Sequence, residues 1–131
     1  MKPRLLFISF FLIALLGALH FIASEFYFYW TISWFDTMMH FLGGISLGLF
    51  SLWVAYSAGL FKKMPLSRSA IIVTAFFSVL IIGVGWEIFE KMNGLTQSTE
   101  GYRLDTIHDL LADMAGALVA GFIGGCSKLY E

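Results

Sequence analysis

The sequence predicts an all-α fold: one domain, 1–131, built as a four-helix transmembrane bundle with both termini cytoplasmic. Three observations carry this reading. Hydrophobic residues make up 59% of the chain and charged residues 13%, against about 25% charged in a soluble domain, and the mean hydropathy is +0.82. The apolar residues fall into four separate runs of about 20, enough at 1.5 Å per residue to span a ~30 Å hydrocarbon core. Lysine and arginine then distribute unevenly over the segments between those runs, which sets the orientation.

The elements follow in order. The first helix covers about 5–24, where Leu5–Ser24 is apolar after Met-Lys-Pro-Arg. It exceeds the ~7–15 apolar residues of a signal peptide and lacks a clear small-x-small cleavage site, so a retained helix is expected. The second helix covers about 37–61, the third about 70–90 and the fourth about 105–126. Repeats, low-complexity tracts and linkers are absent from the sequence.

Lys2, Arg4, Lys62, Lys63, Arg68 and Lys128 fall at one end of such a bundle, and only Lys91 and Arg103 at the other. The first end is therefore cytoplasmic, in the inner (plasma) membrane, with segments 25–36 and 91–106 facing outward. Trp30, Trp34, Trp86, Tyr27, Tyr29 and Tyr102 are expected as the outer aromatic belt. A net charge of −1 removes the case for a nucleic-acid partner, and the single cysteine, Cys126, allows no internal disulfide. The sequence leaves oligomerisation open.

The acidic residues carry the functional signal. Of nine, only Glu131 lies at the cytoplasmic end; Glu25, Asp36, Glu87, Glu90, Glu100, Asp105, Asp109 and Asp113 belong to the outer end, with His40 and His108, and with His20 one turn inside. Asp36 and His40 are four apart and share a helix face, Glu87 and Glu90 are three apart, and Asp105, Asp109 and Asp113 recur every four residues. That last series covers about 12 Å of helix axis, which carries Asp113 below the headgroups. A charge near the bilayer centre costs ~2.5–3.5 kcal/mol even on lenient scales, so these carboxylates must be neutralised.

Protonation, pairing with Lys91, Arg103 and histidine, or a bound divalent cation would each do so. Two fixed cations do not suffice for seven or eight acids. An oxygen-rich set with one or two histidines suits Mg²⁺, Mn²⁺ or Ca²⁺, and Zn²⁺ less well. The metal set read from the sequence is Asp36, His40, Glu87, Glu90, Asp105, His108, Asp109 and Asp113, with Glu87, His40 and Asp109 as catalytic groups and Arg103 and Lys91 as holders of an anionic substrate. Asp36 and Asp105 could instead simply favour the start of their helices. Glu25 and Glu100 read as solvated loop charges, and His20 as a helix-packing hydrogen bonder. Gly43, Gly44 and Gly48 on the second helix and Ala117, Gly121 and Gly125 on the fourth predict close helix approach.

Asp36-x-x-x-His40-Phe-Leu-Gly-Gly, Trp86-Glu87-Ile-Phe-Glu90 and Arg103-x-Asp105-x-x-x-Asp109-x-x-x-Asp113-x-x-Gly116 resemble the VanZ-like membrane proteins, over the last three helices. The chain also looks similar to the YjdF-type inner-membrane proteins, whose last helix opens with an Asp-Thr and further aspartates. It departs from the VanZ pattern where Asp113 replaces a usual asparagine and Glu90 a usual glutamine, both of which make the mouth more acidic. The resemblance implies an outward-facing envelope role and supplies no reaction. Three function classes stay open on the sequence. They are a metal-dependent hydrolase or transferase acting on a lipid-linked or phosphate-bearing substrate, a cation or proton transporter or channel, and a non-catalytic envelope or antibiotic-resistance factor. Ser46, Ser51, Thr74 and Ser78 are the modest candidates for a path across the cytoplasmic half.

Overall fold

The structure is a computed structural model that describes residues 3–57, 67–95 and 101–126. It contains helices α1 (Pro3–Glu25), α2 (Phe28–Thr31), α3 (Phe35–Ser57), α4 (Arg68–Asn93) and α5 (Tyr102–Cys126) among the described residues. All but the one-turn α2 are long and apolar enough to cross a membrane. The all-α, four-span expectation therefore holds. The ends differ from the sequence reading by a few residues, because an apolar run marks only the hydrocarbon part. Backbone hydrogen bonding continues into the interface, adding Phe35 and Asp36 to the start of α3 and Tyr102–Leu104 to the start of α5. Positions 58–61 of the expected second helix, and Lys2, Lys62, Lys63, Glu100, Lys128 and Glu131, lie outside the described residues.

The two described ends of α4 show how the sequence stops a helix. Ser67 Oγ accepts a hydrogen bond from Ala70 N–H at 3.1 Å, satisfying one of the unpaired amides of the first turn. At the other end Gly94 adopts φ +65°, which costs glycine nothing, and Leu95 N–H returns to Glu90 C=O at 3.0 Å.

Helix α3 is the centre of the bundle, packed against α5, α1 and α4, while α4 also packs along α5. The closest approach is between α3 and α5. A Cβ on Gly44 would collide with the Asp113 carbonyl, and one on Gly116 would collide with the Phe41 carbonyl and fall 2.8 Å from Ile45 N. On the next turn Gly48 leaves room for the Ala120 methyl, and Gly121 and Gly124 seat α5 against Ile72, Ile71 and Leu52. Gly43 departs from the packing role expected of it: a Cβ there meets nothing within 4 Å. Small residues on one face let the backbones touch, and dispersion between close-packed helices replaces the hydrophobic drive that lipid cannot supply.

Below this contact the interior is mainly aliphatic, with the buried Ser9 and Ser46 bonded to backbone carbonyls. Leu5, Leu49 and Ala120 form one buried cluster, and Leu52, Ile71 and Ala75 another. Large apolar side chains such as Phe7, Phe11, Phe77 and Ile81 lie on the outside, as a lipid solvent permits.

Segment 25–36, expected as a plain outer loop, contains α2. Tyr27 enters it at φ +58°, a left-handed conformation rare for a bulky residue. The turn this makes sets Phe28 and Tyr29 edge-to-face against the buried Phe35, with ring centroids 5.6 and 5.2 Å apart. Trp30, Trp34 and Trp86 are exposed as an aromatic belt requires. Tyr29 is not; it is half-buried and turned inward.

The contact geometry yields an opposed pair of outcomes. Gly116→Ala must push α3 and α5 apart and is expected to cost about 1–3 kcal/mol, as overpacking does. Gly85→Ala, whose Cβ meets nothing within 4 Å, should be neutral or gain up to about 1 kcal/mol of helix propensity. Thermal unfolding in detergent, followed by circular dichroism, reads both.

Candidate metal centre

The α3–α5 contact fixes what lies at one end of the bundle. Asp36 and His40 stand one turn apart on α3, and Asp109 and Asp113 one turn apart on α5. Because the backbones touch at Gly44 and Asp113, the His40 ring is inserted between the two α5 aspartates. Its Nδ1 lies 3.3 Å from Asp113 Oδ1, within hydrogen-bonding reach of the carboxylate. Its Nε2 lies 3.7 Å from Asp109 Oδ2 and 3.9 Å from Asp36 Oδ1. Gly83 of α4 makes the third wall possible, since a Cβ there would come within 2.7 Å of Asp113 Oδ2.

Asp109 is 2% exposed and Asp113 6%, so neither carboxylate is relieved by bulk solvent. In the tautomer that gives Nδ1–H to Asp113, the Nε2 lone pair faces two carboxylates; a ring protonated on both nitrogens would instead pair with all three. At 3.7–3.9 Å the two at Nε2 are beyond the 2.7–3.2 Å of a hydrogen bond. The donor atoms of Asp36, His40 and Asp109 all lie within 4.8 Å of one another. Two donors each about 2.0–2.4 Å from one ion stand about 3–4 Å apart, so a small contraction would close the three on a cation.

The other residues read from the sequence divide. Glu87 is 5% exposed and its Oε1 has no hydrogen-bond partner; it lies near enough for its charge to act on Asp109 and Glu90, but not on the cavity wall described below. Glu90 and Asp105 do line that cavity with Asp36, His40 and Asp113. Asp36 and Asp105 also occupy the first turns of α3 and α5, as their helix-start role requires. His108 and Arg103 are exposed and outside the cavity wall. Lys91 holds its ammonium 4.9 Å over the Tyr102 ring. Neither outer cation is thus placed on the cavity, where the sequence reading needed them for an anionic substrate.

The cavity has a volume of about 480 Å³ and runs from the acidic mouth down between α1, α3 and α4. Tyr29 and His20 close its top: the Tyr29 hydroxyl is 2.7 Å from His20 Nδ1, and the rings are 5.6 Å apart. His20 is a hydrogen bonder as expected, with α2 as its partner. The sequence reading missed Gly83, and gave Tyr29 and Gly43 other roles, a belt and a helix contact, than the cavity wall they form. No periodic signal marks Tyr29, since its inward turn depends on the left-handed Tyr27. Gly83 could have been found, one turn before Glu87 on the same face of α4.

Comparison with known proteins places the chain in a family. The profile described as "Predicted membrane protein (DUF2238)" matches residues 2–128. The chain belongs to that family of membrane proteins, which supports the membrane class without singling out a VanZ-like relationship. No curated protein and no solved structure matches the chain.

Tyr29 stands outside the membrane-spanning helices, and its burial beside the negative Asp36 and Glu90 pushes its phenol up from 10.0 to about 12. Between those values the unfolded chain releases a proton that the folded chain keeps, so stability should fall as pH rises through that window. Ultraviolet titration of the folded protein should show one tyrosine ionising last, and Tyr29→Phe should remove that step.

Proposed function

We propose that this protein is a metal-dependent membrane enzyme, a hydrolase or transferase, whose centre is a divalent cation held by Asp36, His40 and Asp109. The observation that carries the reading is the pair of separations around the His40 ring. One nitrogen is tied to a carboxylate, and the other faces two carboxylates at distances fitted to an ion between them. Asp113 then fixes the tautomer and aim of His40, as carboxylates behind metal-bound histidines commonly do. The buried Glu87, whose Oε1 has no hydrogen-bond partner, is a further oxygen donor that a cation or proton would satisfy.

When bound, a divalent ion would supply charge stabilisation to phosphoryl oxygens and lower the pKa of a water. Glu90, on the cavity wall, is the carboxylate placed to take or return a proton beside such a substrate. Oxygen-rich donors with one imidazole suit Mg²⁺ or Mn²⁺, with Ca²⁺ next and Zn²⁺ a weaker match. The six-to-two division of lysine and arginine supports an extracytoplasmic site in the plasma membrane. The resemblance of the Asp36/His40 and Asp105/Asp109/Asp113 motifs to VanZ-like proteins supports a role in the cell envelope. Beneath Asp113, the buried Leu49, Leu52, Ile71 and Val79 are joined among the described residues by Ser9 and Ser46, whose hydroxyls are already given to the Ser46 and Gly43 carbonyls, so little is left to solvate a passing ion. Thr74, one candidate for a conducting path, bonds instead to the Ala70 carbonyl and the Tyr56 hydroxyl. A one-sided site accounts for this better than a conduit.

Calorimetric titration of the detergent-purified protein with Mn²⁺ is expected to give one site. Asp109→Asn should abolish it, and Asp113→Asn, which keeps the shape but weakens the hold on Nδ1, should lower affinity about 10–100-fold. The loaded protein should cleave a phosphate-bearing lipid from an extracted envelope pool. Wild-type protein that binds no divalent cation would overturn the proposal.

A further inference from the structure

The cavity beside the centre has the wrong walls for water. Below the mouth it is lined by Ile13 and Leu16 of α1, Met39 and Leu47 of α3 and Ile82 of α4, with Ser46 as the polar side chain among them, its hydroxyl already given to the Gly43 carbonyl. It reaches from Asp36 to Leu47, eleven residues or about 16 Å along α3, which is half of a ~30 Å hydrocarbon core. At about 30 Å³ per water it would hold on the order of a dozen or more molecules against aliphatic surface, with few polar partners for them. It is also not sealed from the bilayer. Helix α1 rests on α3, and α4 rests on α5 and α3, so the cleft lies between α1 and α4 with α3 as its floor. Ile13 is 38% exposed, Ile82 40% and Trp86 48%, although all three line the cavity. An apolar cleft of this size, open sideways at membrane depth, fills from the surrounding lipid.

Two glycines make the cleft rather than pack it. A Cβ on Gly17 of α1 or on Gly43 of α3 meets nothing within 4 Å, and both positions line the cavity. Elsewhere α3 uses its glycines for helix contact; at Gly43 the missing side chain leaves open space. The mouth above carries Asp36, Glu90, Asp105 and Asp113. Bare, it would repel an anionic headgroup; with a divalent ion at His40 it gains the one strong anion-binding element on the wall.

We infer that the cleft between α1 and α4 admits the hydrocarbon chain of a phosphate-bearing lipid directly from the bilayer, seating its phosphate at the cation held by Asp36, His40 and Asp109. The headgroup half rests on the metal reading above; the chain half does not. The volume of about 480 Å³ falls within the roughly 300–1,000 Å³ of ligand pockets. Lateral entry then explains why Tyr29 of α2 can lie across the top of the cavity without closing the way in.

The test uses the full chain in vesicles containing a phosphatidic acid with a photoactivatable diazirine in its acyl chain, with and without Mn²⁺. Adducts are mapped by mass spectrometry. Labelling is expected at Leu16 and Leu47 above the level found at the outward-facing Ile81, which is 72% exposed. Mn²⁺ should raise it, and Asp109→Asn should cancel the rise. Gly43→Leu and Gly17→Leu fill space that no protein atom occupies, so they should fold, keep Mn²⁺ binding by calorimetry and lose the cleft adducts. Cleft labelling no higher than at Ile81, or undiminished in both leucine variants, would overturn the inference while leaving a measured Mn²⁺ site intact. Cleft labelling in a wild type that binds Mn²⁺, but without any Mn²⁺ effect, would overturn the phosphate assignment. Absence of Mn²⁺ binding in wild type would overturn the metal reading, and with it the headgroup half.

Discussion

The backbone contact between α3 and α5 is the constraint on which the site depends. Gly44 lies against Asp113, and Gly116 lies against Phe41, so the two helices are locked in both distance and register. His40, one turn before Gly44, has then no choice but to sit among the α5 aspartates. Lipid gives no hydrophobic reason for helices to associate, so the lock has to come from close packing of small residues. Burying carboxylates at 2% and 6% exposure is costly, and the glycine contact is where the fold recovers part of that cost.

The consequence runs in both directions. A register fixed by glycine holds the imidazole with one nitrogen on Asp113 and the other on Asp36 and Asp109. An imidazole and carboxylates buried this deeply need a compensating cation or proton, and the buried Leu49, Leu52, Ile71 and Val79 beneath them supply none. The acidic residues and the apolar layer beneath them together define a site that faces one side and ends inside the membrane.

Much of this was legible in the sequence. The four spans were, because 20-residue apolar runs have few other uses. The partnership of Asp36 and His40 with Asp109 and Asp113 was too, because four-residue spacing on two helices opening at the same end brings them to one mouth. What was not legible depended on contacts no local pattern records. Gly43 and Gly44 look equivalent in sequence, yet a rotation of 100° per residue puts Gly44 against α5 and leaves Gly43 facing the cleft. Glu87 and Glu90 were read as one pair, but the same geometry buries Glu87 toward Asp109 and gives Glu90 to the cavity. Arg103 and Lys91 were assigned by charge sign alone, a signal that says nothing of which side chains line the cavity; Lys91 lies over Tyr102 and Arg103 is exposed. Tyr29 required a left-handed turn at Tyr27 that no propensity favours.

The central claim is that His40 Nε2 faces a cation shared with Asp36 and Asp109. Electron spin-echo envelope modulation of Mn²⁺-loaded protein labelled with ¹⁵N-histidine tests it at the bond itself. The account predicts a single directly coordinated imidazole nitrogen, lost in His40→Gln and retained in His20→Gln and His108→Gln. Bound Mn²⁺ with no nitrogen coupling, or a coupling that survives His40→Gln, would contradict it.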